Sequence, residues 1–180
     1  MRSSYYYLIA SLPMLEFGMK MPISCENFLA LAEEHLSLKD LNIIKRTQIV
    51  PLKDIDDVED ALPTLREWKK FEATLRNEIA KTRAVKKSKD QSEYIRGENY
   101  RDPFLAHFAQ WVSSEDSPLE AERAIDKKRW EKIEDLSKGH YFDIDYLVAY
   151  ALKLQILARW ERISSSNGME VLQGLLNQTV

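Results

Sequence analysis

Apolar residues recur at intervals of three or four along most of the chain, the spacing that places them on one face of an α-helix. The clearest stripe consists of Leu65, Trp68, Phe71 or Glu72, Leu75 and Ile79. Thr64 and Glu67 have the spacing of a capping box, so we expect the helix to begin there and to reach Val85. Its other face is polar, and Glu72 with Arg76 forms a favourable i,i+4 pair.

The most apolar predicted helix follows Asp143, which can act as its N-cap, and runs from Ile144 to about Ile163. It carries two apolar stripes: Ile144, Leu147, Val148, Ala151, Leu154 and Ala158, and beside them Tyr146, Tyr150, Leu157 and Trp160. A helix that is apolar on most of its circumference is usually buried at the centre of a bundle. The sequence therefore predicts an all-α fold, an irregular helical bundle built around this long C-terminal helix.

Capping residues and proline at first helical positions predict the remaining helices. They cover residues 5–12, the segments from Ser24 to His35, Ser37 to Ile44, Pro103 to Val112, Ser117 to Gly139, and Met169 to Leu176. Residues 54–60 are acidic and predict a loop or one exposed turn, and Lys86 to Arg101 predicts a linker or mobile loop. We expect a single helical domain over residues 1–180, with an alternative in which a sub-lobe, residues 64–136, is inserted between the N-terminal and C-terminal helices.

The composition agrees with a folded helical protein. The 180 residues are 44% hydrophobic and 31% charged, which is typical of a globular chain and not of a disordered one. Five glycines and six prolines are too few for the many tight turns of a β-rich fold. The formal net charge of -3 argues against a general nucleic-acid binder, which needs a strong basic excess, so we expect no nucleic-acid partner.

The single cysteine and the lengths of the apolar runs indicate the cellular location that we expect for the protein. Cys25 is the one cysteine, which excludes a disulfide within the chain and fits a reducing cytoplasm. The longest apolar run, Tyr146 to Leu152, is far shorter than the roughly 20 residues of a membrane helix. The apolar run Tyr5 to Leu12 contains three tyrosines and is followed by Pro13, unlike a signal peptide. We expect a cytoplasmic protein that inserts into no membrane and reaches one only through a protein complex.

Motifs for nucleophilic, phosphate or metal chemistry are mostly absent, and no histidine belongs to the Glu-x-x-His pairs of di-metal bundles. His140, Asp143 and Asp145 form the one H-x-x-D-x-D cluster, which could hold a metal. We favour the interpretation in which Asp143 caps a helix and His140 lies just past another, because spacing alone fixes no ligand geometry. We therefore predict no catalytic residue, no metal and no cofactor.

Two further features have simple structural explanations. Cys25 lies at a helix start but has no basic neighbour in sequence, so a small core residue is favoured over a reactive thiol. The basic run Lys81, Arg83, Lys86, Lys87 and Lys89 is diluted by nearby acids and is favoured as a solvated helix end.

Two segments resemble known families. Residues 5–13 (YYYLIASLP) resemble the opening of a bacterial family of unknown function whose members tend to be encoded within operons for V-type ATP synthases. Residues 145–153 (DYLVAYALK), followed by Arg159, Ile163 and a terminal helix, are similar to the closing segment of the C subunit of V/A-type ATP synthases. In that family a glycine-containing turn precedes the last amphipathic helix, and Gly168 falls in the corresponding place.

The resemblance implies an all-helical, non-catalytic socket, since members of that family couple the central rotor stalk to the membrane rotor ring. This chain is much shorter than a full-length member with its three related helical lobes, so only part of that architecture corresponds. The leading hypothesis is a coupling or assembly subunit of a V-type rotary ATPase. The alternatives are a free-standing helical adaptor or chaperone with an unrelated partner, and a helical-bundle enzyme with a carboxylate or His–Asp site.

Two groups of residues are candidates for partner binding. Tyr5, Tyr6 and Tyr7 offer more aromatic surface than one short helix can bury. Arg159 and Trp160, near the end of the long helix, are residue types enriched in interface hot spots. The opposing interpretation, in which all five belong to the core, predicts that alanine substitutions unfold the chain.

Overall fold

The computed structural model describes residues 5–50, 62–97 and 100–165. This part of the chain is all-helical and contains no strand, as predicted. The α-helices are α1 (Tyr6–Ser11), α2 (Cys25–His35), α3 (Leu38–Arg46), α4 (Pro63–Lys86), α5 (Pro103–Ser114), α6 (Pro118–Ser137) and α7 (Ile144–Ser165). None of these helices combines the length and hydrophobicity needed to cross a membrane. The predicted loop 54–60 and the predicted helix Met169 to Leu176 lie outside the described residues.

Helix α7 supplies the centre of the main hydrophobic core. Its residues 147–152 are all buried, and Leu154, Ile156 and Leu157 continue the buried surface toward its C-terminal half. Helices α2, α3, α4 and α6 pack around it. Burial on nearly every side explains why the sequence of α7 is apolar around most of its circumference.

A second, smaller apolar cluster lies between α4, α5 and α6. Its buried members are Leu75, Ile79, Leu105, Ala109, Val112 and Ile125. Phe71 packs against both clusters, so α4 contributes its N-terminal half to the main core and its C-terminal half to the smaller one. The division into a domain and a sub-lobe over residues 64–136 stays a prediction.

Acidic and basic side chains fill the space where α4, α6 and α7 meet. We call Glu72, Glu122, Asp126, Arg129 and Arg159 the buried charge network, and its three central members, Glu72, Asp126 and Arg129, are 1%, 0% and 8% exposed. Arg129 donates two hydrogen bonds to the Glu72 carboxylate, at 2.9 and 2.5 Å, and one to Asp126 at 2.8 Å. Arg159 donates to Asp126 at 2.7 Å and to Glu122 at 2.6 Å.

Burial and ion pairing act in opposite directions on the pKa values of Glu72 and Arg129. Burial raises the pKa of the Glu72 carboxyl, and the hydrogen bonds and charge of Arg129 act against that rise. Burial by itself would lower the pKa of the Arg129 guanidinium, but its bonds to Glu72 and Asp126 raise it instead. Arg129 therefore stays charged, and its removal would leave Glu72 buried without its hydrogen-bonded cation and Asp126 with only Arg159 and Trp160 as partners.

The helix ends test the predicted capping residues. The side chains of Ser24, Ser37, Asp102 and Ser117 each accept a hydrogen bond from a backbone N–H in the first turn of α2, α3, α5 and α6, as expected. Gly139 follows α6 with a φ of +85°, the left-handed conformation that favours glycine just past a helix end.

The predicted capping box at the start of α4 is wrong. Leu62 occupies the N-cap position, Pro63 is the first helical residue, and the Thr64 side chain is buried. Proline suits the first helical position because its fixed φ is helical and its missing N–H would have no partner there. The N-cap therefore lies two residues earlier than the Thr64–Glu67 spacing predicted.

The segment that follows α4 makes specific contacts with that helix. A 3₁₀ helix covers Gln91–Tyr94 and packs on α4. The Asn77 side chain accepts from the Arg96 backbone N–H at 3.1 Å and donates to its carbonyl at 3.0 Å. The sequence predicted a linker or mobile loop over residues 86–101; in this part of it the chain forms a short helix and pairs with a buried amide on α4.

Candidate protein-docking surface

The segment that begins with Tyr5 packs against the loop that leads into α7. The backbone N–H of Tyr5 donates to the carbonyl of Phe142 at 3.3 Å. Farther along both segments, the Tyr150 hydroxyl donates to the carbonyl of Pro13 at 3.0 Å, a contact between residues 137 positions apart. The two segments that carry the family resemblance are thus in contact through Tyr150 and Pro13.

Four exposed aromatic rings lie where these segments meet. We call Tyr6, Tyr7, Tyr141 and Phe142 the aromatic surface, and their exposed fractions are 53%, 82%, 69% and 44%. The Tyr6 ring contacts Tyr7 edge-on with 5.8 Å between centroids, and Phe142 at 4.9 Å. Large apolar groups that cluster on a surface in this way mark interaction sites more often than isolated exposed side chains do.

Local structure explains why these rings face outward. Helix α1 buries Leu8 and Ile9 against the core, which turns Tyr6 and Tyr7 of its first turn toward the outside. On the other segment, Gly139 ends α6 and the short connection to α7 carries Tyr141 and Phe142 over the surface. Tyr6 and Tyr7 are therefore held beside buried residues of α1, and the backbone at Phe142 is held by its hydrogen bond from Tyr5.

The three tyrosines that were predicted to bind a partner differ in their exposure to solvent. Tyr5 is only 8% exposed and belongs to the main core, and its hydroxyl donates to the Asp40 carboxylate. Tyr6 and Tyr7 are exposed. Sequence reasoning missed Tyr141 and Phe142, although two adjacent aromatic residues just after a helix-ending glycine lie where loops usually carry surface residues.

Arg159 and Trp160 lie elsewhere, at the contact of α6 with α7. Trp160 is half-buried against the main core and its Nε1–H donates to Asp126 at 3.0 Å, while Arg159 belongs to the buried charge network. The axial rise of a helix places Trp160 about 24 Å along α7 from its first residue. The structure therefore does not join these two residues to the aromatic surface, and their role in binding a partner stays a prediction.

A histidine and two aspartates stand next to the aromatic surface. His140 Nδ1 lies 2.7 Å from one carboxylate oxygen of Asp143 and 3.8 Å from one of Asp145. The other Asp143 oxygen accepts from the Tyr146 backbone N–H at 3.1 Å, so Asp143 caps α7 as predicted. Asp145 Oδ1 is buried and has no hydrogen-bond partner in the part of the chain that the structure describes.

The chemical capacity of this cluster follows from its spacing. Potential ligand atoms of all three residues lie within 4.8 Å of one another, so small side-chain movements would let them bind one divalent cation. The short His140–Asp143 contact also suits a hydrogen bond in which the Nδ1–H of the imidazole donates to the carboxylate.

The environment of Cys25 is that of a core residue rather than that of a nucleophile. The residue is half-buried at the start of α2 and packs against the main core. Burial raises the pKa of its thiol, although Arg162 acts in the lowering direction. A thiol with a raised pKa holds less thiolate at neutral pH, which agrees with a core residue rather than a nucleophile.

Comparison with known proteins extends to one part of the chain. The model of a family described as protein of unknown function (DUF2764) matches residues 106–180, less than half of the chain. No curated protein and no solved structure matched the sequence. The matched range includes Tyr141, Phe142 and the 145–153 segment but not Tyr6 or Tyr7. The description of the family makes no link to V-type ATPases, so the resemblance to ATPase-associated families rests on residues 5–13 and 145–153 alone.

Proposed function

We propose that the protein is a non-catalytic coupling or assembly subunit of a V-type rotary ATPase, comparable in role to the C subunit of V/A-type ATP synthases, and that the aromatic surface docks it on a partner protein. The observation that carries the proposal is the aromatic surface itself. It is formed where residues 5–13 meet the loop that leads into residues 145–153, so the surface includes part of one segment that resembles ATPase-associated families and lies next to the other.

The chemistry of the surface suits binding rather than catalysis. Tyrosine and phenylalanine give large contact areas with few rotatable bonds, so ordering them on binding costs little conformational entropy. The tyrosine hydroxyls keep such rings hydrated before the partner arrives. The backbone under the rings is fixed by the Tyr5–Phe142 and Tyr150–Pro13 hydrogen bonds, which preorganises the surface for docking.

The proposal is tested by affinity pull-down of the tagged full chain from the cell that makes it, with mass spectrometry of the recovered proteins. We expect stalk or ring subunits of a V-type ATPase. We expect the double variant Tyr6→Ala with Tyr7→Ala to recover them at least about tenfold less, because truncating central aromatic residues costs about 2 kcal/mol or more.

The control is Phe104→Ala, which removes a ring that is 85% exposed on α5, away from the aromatic surface. This variant should recover the same subunits as the unaltered chain. Circular dichroism of all variants separates a lost contact from a lost fold. Recovery of the same ATPase subunits by the double variant, with its helical signal intact, would show that the aromatic surface is not the docking site.

Recovery of unrelated proteins would instead favour the helical adaptor or chaperone. One observation supports that second candidate: α5 turns Phe104 and Trp111, at 85% and 52% exposure, outward on a face that no described residue covers. A chain with two separate exposed aromatic faces could bridge two partners. Under that function Phe104→Ala would lose one partner and the Tyr6–Tyr7 variant another.

The enzyme hypothesis has its own test at the His140 cluster. Its supporting observation is the buried, unpartnered Oδ1 of Asp145, because an unsatisfied buried oxygen is costly and a bound cation would satisfy it. Metal analysis of the purified protein should find a stoichiometric divalent ion if the cluster is a metal centre. Absence of metal after purification without chelators, and no binding of added Zn²⁺ or Mn²⁺, would count against it.

A further inference from the structure

A groove of about 650 Å³ runs along the C-terminal half of α4. One wall is the chain that returns through residues 89–96, and the other is formed by α6 at Glu122, Ile125 and Arg129. The floor contains Ala73, Ala80 and Ala84, whose small side chains let another backbone come close to the helix. This groove shares no residue with the aromatic surface.

The charges that line the groove are unbalanced. Two lining residues are already neutralised inside the protein, since Arg129 pairs with Glu72 and Asp126 and Glu122 pairs with Arg159. The remaining cations are Arg76, Arg83, Lys87, Lys89 and Arg96, all exposed. No salt bridge among the described residues joins any of these five to a carboxylate. Against these five cations stand Glu93 and the buried charge network, whose three carboxylates and two guanidiniums leave one negative charge, so the groove has an excess of three positive charges.

This excess is a local feature of a chain whose formal net charge is -3. A concave surface focuses the field of such charges, which raises the local concentration and the association rate of oppositely charged ligands. The chain's overall negative charge works against long-range attraction of large polyanions such as nucleic acid. A ligand must therefore be small or narrow enough to reach the groove itself.

The cations are spread along the groove. Arg76, Arg83 and Lys87 follow one another at i, i+7 and i+11 on the same side of α4, which spans about 16 Å. A compact anion such as phosphate needs donors that converge on one point. A row of separate cations over an alanine floor instead matches a chain that carries several carboxylates.

We propose that this groove binds an acidic peptide segment of a partner protein, with the carboxylates on the row of arginines and lysines and the peptide backbone over the alanines of α4. The exposed position of the cations means that each ion pair contributes modestly, so binding should be rapid, cumulative and strongly dependent on salt. The groove would act as a second contact, separate from the aromatic surface and independent of which assembly that surface joins.

The test measures binding of the full chain to a fluorescein-labelled peptide of about ten residues with alternating glutamate and alanine, long enough to span the row. Fluorescence anisotropy is recorded at low and at physiological salt. We expect saturable binding that weakens as salt rises. The double variant R83E with K87E should weaken it by about tenfold or more, because two attractions become repulsions.

The matched control is K20E with K39E, which makes the same change in net charge at two exposed lysines outside the groove. This variant should bind within about twofold of the unaltered chain, since screening weakens distant surface charges. Circular dichroism and the thermal midpoint check that each variant is folded, and R83Q with K87Q replaces the reversal variant if it is not.

Three results would overturn the proposal. Equal weakening by the groove and control variants would mean that only net charge matters. Equal binding of a peptide with glutamine in place of glutamate would mean that carboxylates are not recognised. Binding of tripolyphosphate without binding of the acidic peptide would mean that the groove is a site for compact anions. Because the assay uses a peptide and the isolated chain, its outcome does not depend on the proposed ATPase role.

Discussion

Two regions depart in opposite directions from the usual distribution of polar groups outside and apolar groups inside. One is the junction of α4, α6 and α7, and the other is the aromatic surface. At the junction, the acidic and basic side chains of Glu72, Asp126 and Arg129 have almost no solvent contact. At the aromatic surface, Tyr7 and Tyr141 expose most of their area to water.

The two regions also differ in what completes them. Each buried charge has its partner within the chain, so the junction is a finished structure whose loss would cost folding free energy. The Tyr6 ring contacts Tyr7 and Phe142, but all four rings of the aromatic surface keep 44% or more of their area exposed. The difference separates residues that hold the fold together from residues available to another molecule.

The largest expected effect is at the junction. Arg129→Met should lower the free energy of unfolding by about 3–5 kcal/mol, because it leaves Glu72 and Asp126 buried without their shared cation. Urea denaturation followed by circular dichroism measures it. The control is Lys128→Met on the same helix, whose pair with Glu131 is exposed and should be worth less than about 1 kcal/mol. Equal effects would mean that the junction does not stabilise the fold through its charges.

A smaller effect is expected at the edge of the junction. Trp160→Phe keeps most of the apolar ring but removes the Nε1–H that donates to Asp126, so the free energy of unfolding should fall by about 1–3 kcal/mol. Trp111→Phe, at a tryptophan that is 52% exposed, should change it by less than about 0.5 kcal/mol. If Trp160→Phe left stability unchanged but abolished partner recovery, Trp160 would belong with the docking residues.

The smallest stability effect is expected at the aromatic surface. Tyr7→Ser should change the free energy of unfolding by less than about 0.5 kcal/mol, because the ring is 82% exposed. The same urea titration measures it, and partner recovery should nevertheless fall. A loss of stability comparable to that of Trp160→Phe would mean that the ring packs inside the folded protein, which would remove the contrast between the two regions.

Local signals in the sequence were enough for most helix boundaries. Ser24, Ser37, Asp102 and Ser117 cap helices as predicted, because a cap depends on residues two or three positions away. The apolar circumference of α7 likewise predicted its central position, since burial on all sides needs no knowledge of which helices surround it.

The polar interior could not be predicted in the same way. The sequence indicated a surface pair between Glu72 and Arg76, but Glu72 is buried and bonded to Arg129, which lies 57 positions away. Local spacing offers i,i+4 partners only, and tertiary contacts decide which one is used. One signal was available: Glu72 falls in the stripe with Trp68 and Leu75, so its side chain had to face the core.

The sequence predicted two of the four rings of the candidate docking site. The surplus of aromatic residues in α1 pointed to Tyr6 and Tyr7, because a six-residue helix has one inner face and Leu8 with Ile9 fill it. Tyr141 and Phe142 could join them only through a contact between segments far apart in the chain. The groove was missed for the same reason, since Arg96 joins the row of Arg76, Arg83 and Lys87 on α4 only when residues 89–96 fold back on that helix.

The hydrogen bond from Tyr5 to Phe142 has a consequence for the protein during its synthesis. Tyr6 and Tyr7 leave the ribosome early, but the rings that complete their surface emerge more than a hundred residues later. Contacts between distant segments form late, because the long intervening loop must be closed first. A nascent or truncated chain therefore cannot present the full surface, and a partner that recognises all four rings would admit only finished molecules into its assembly.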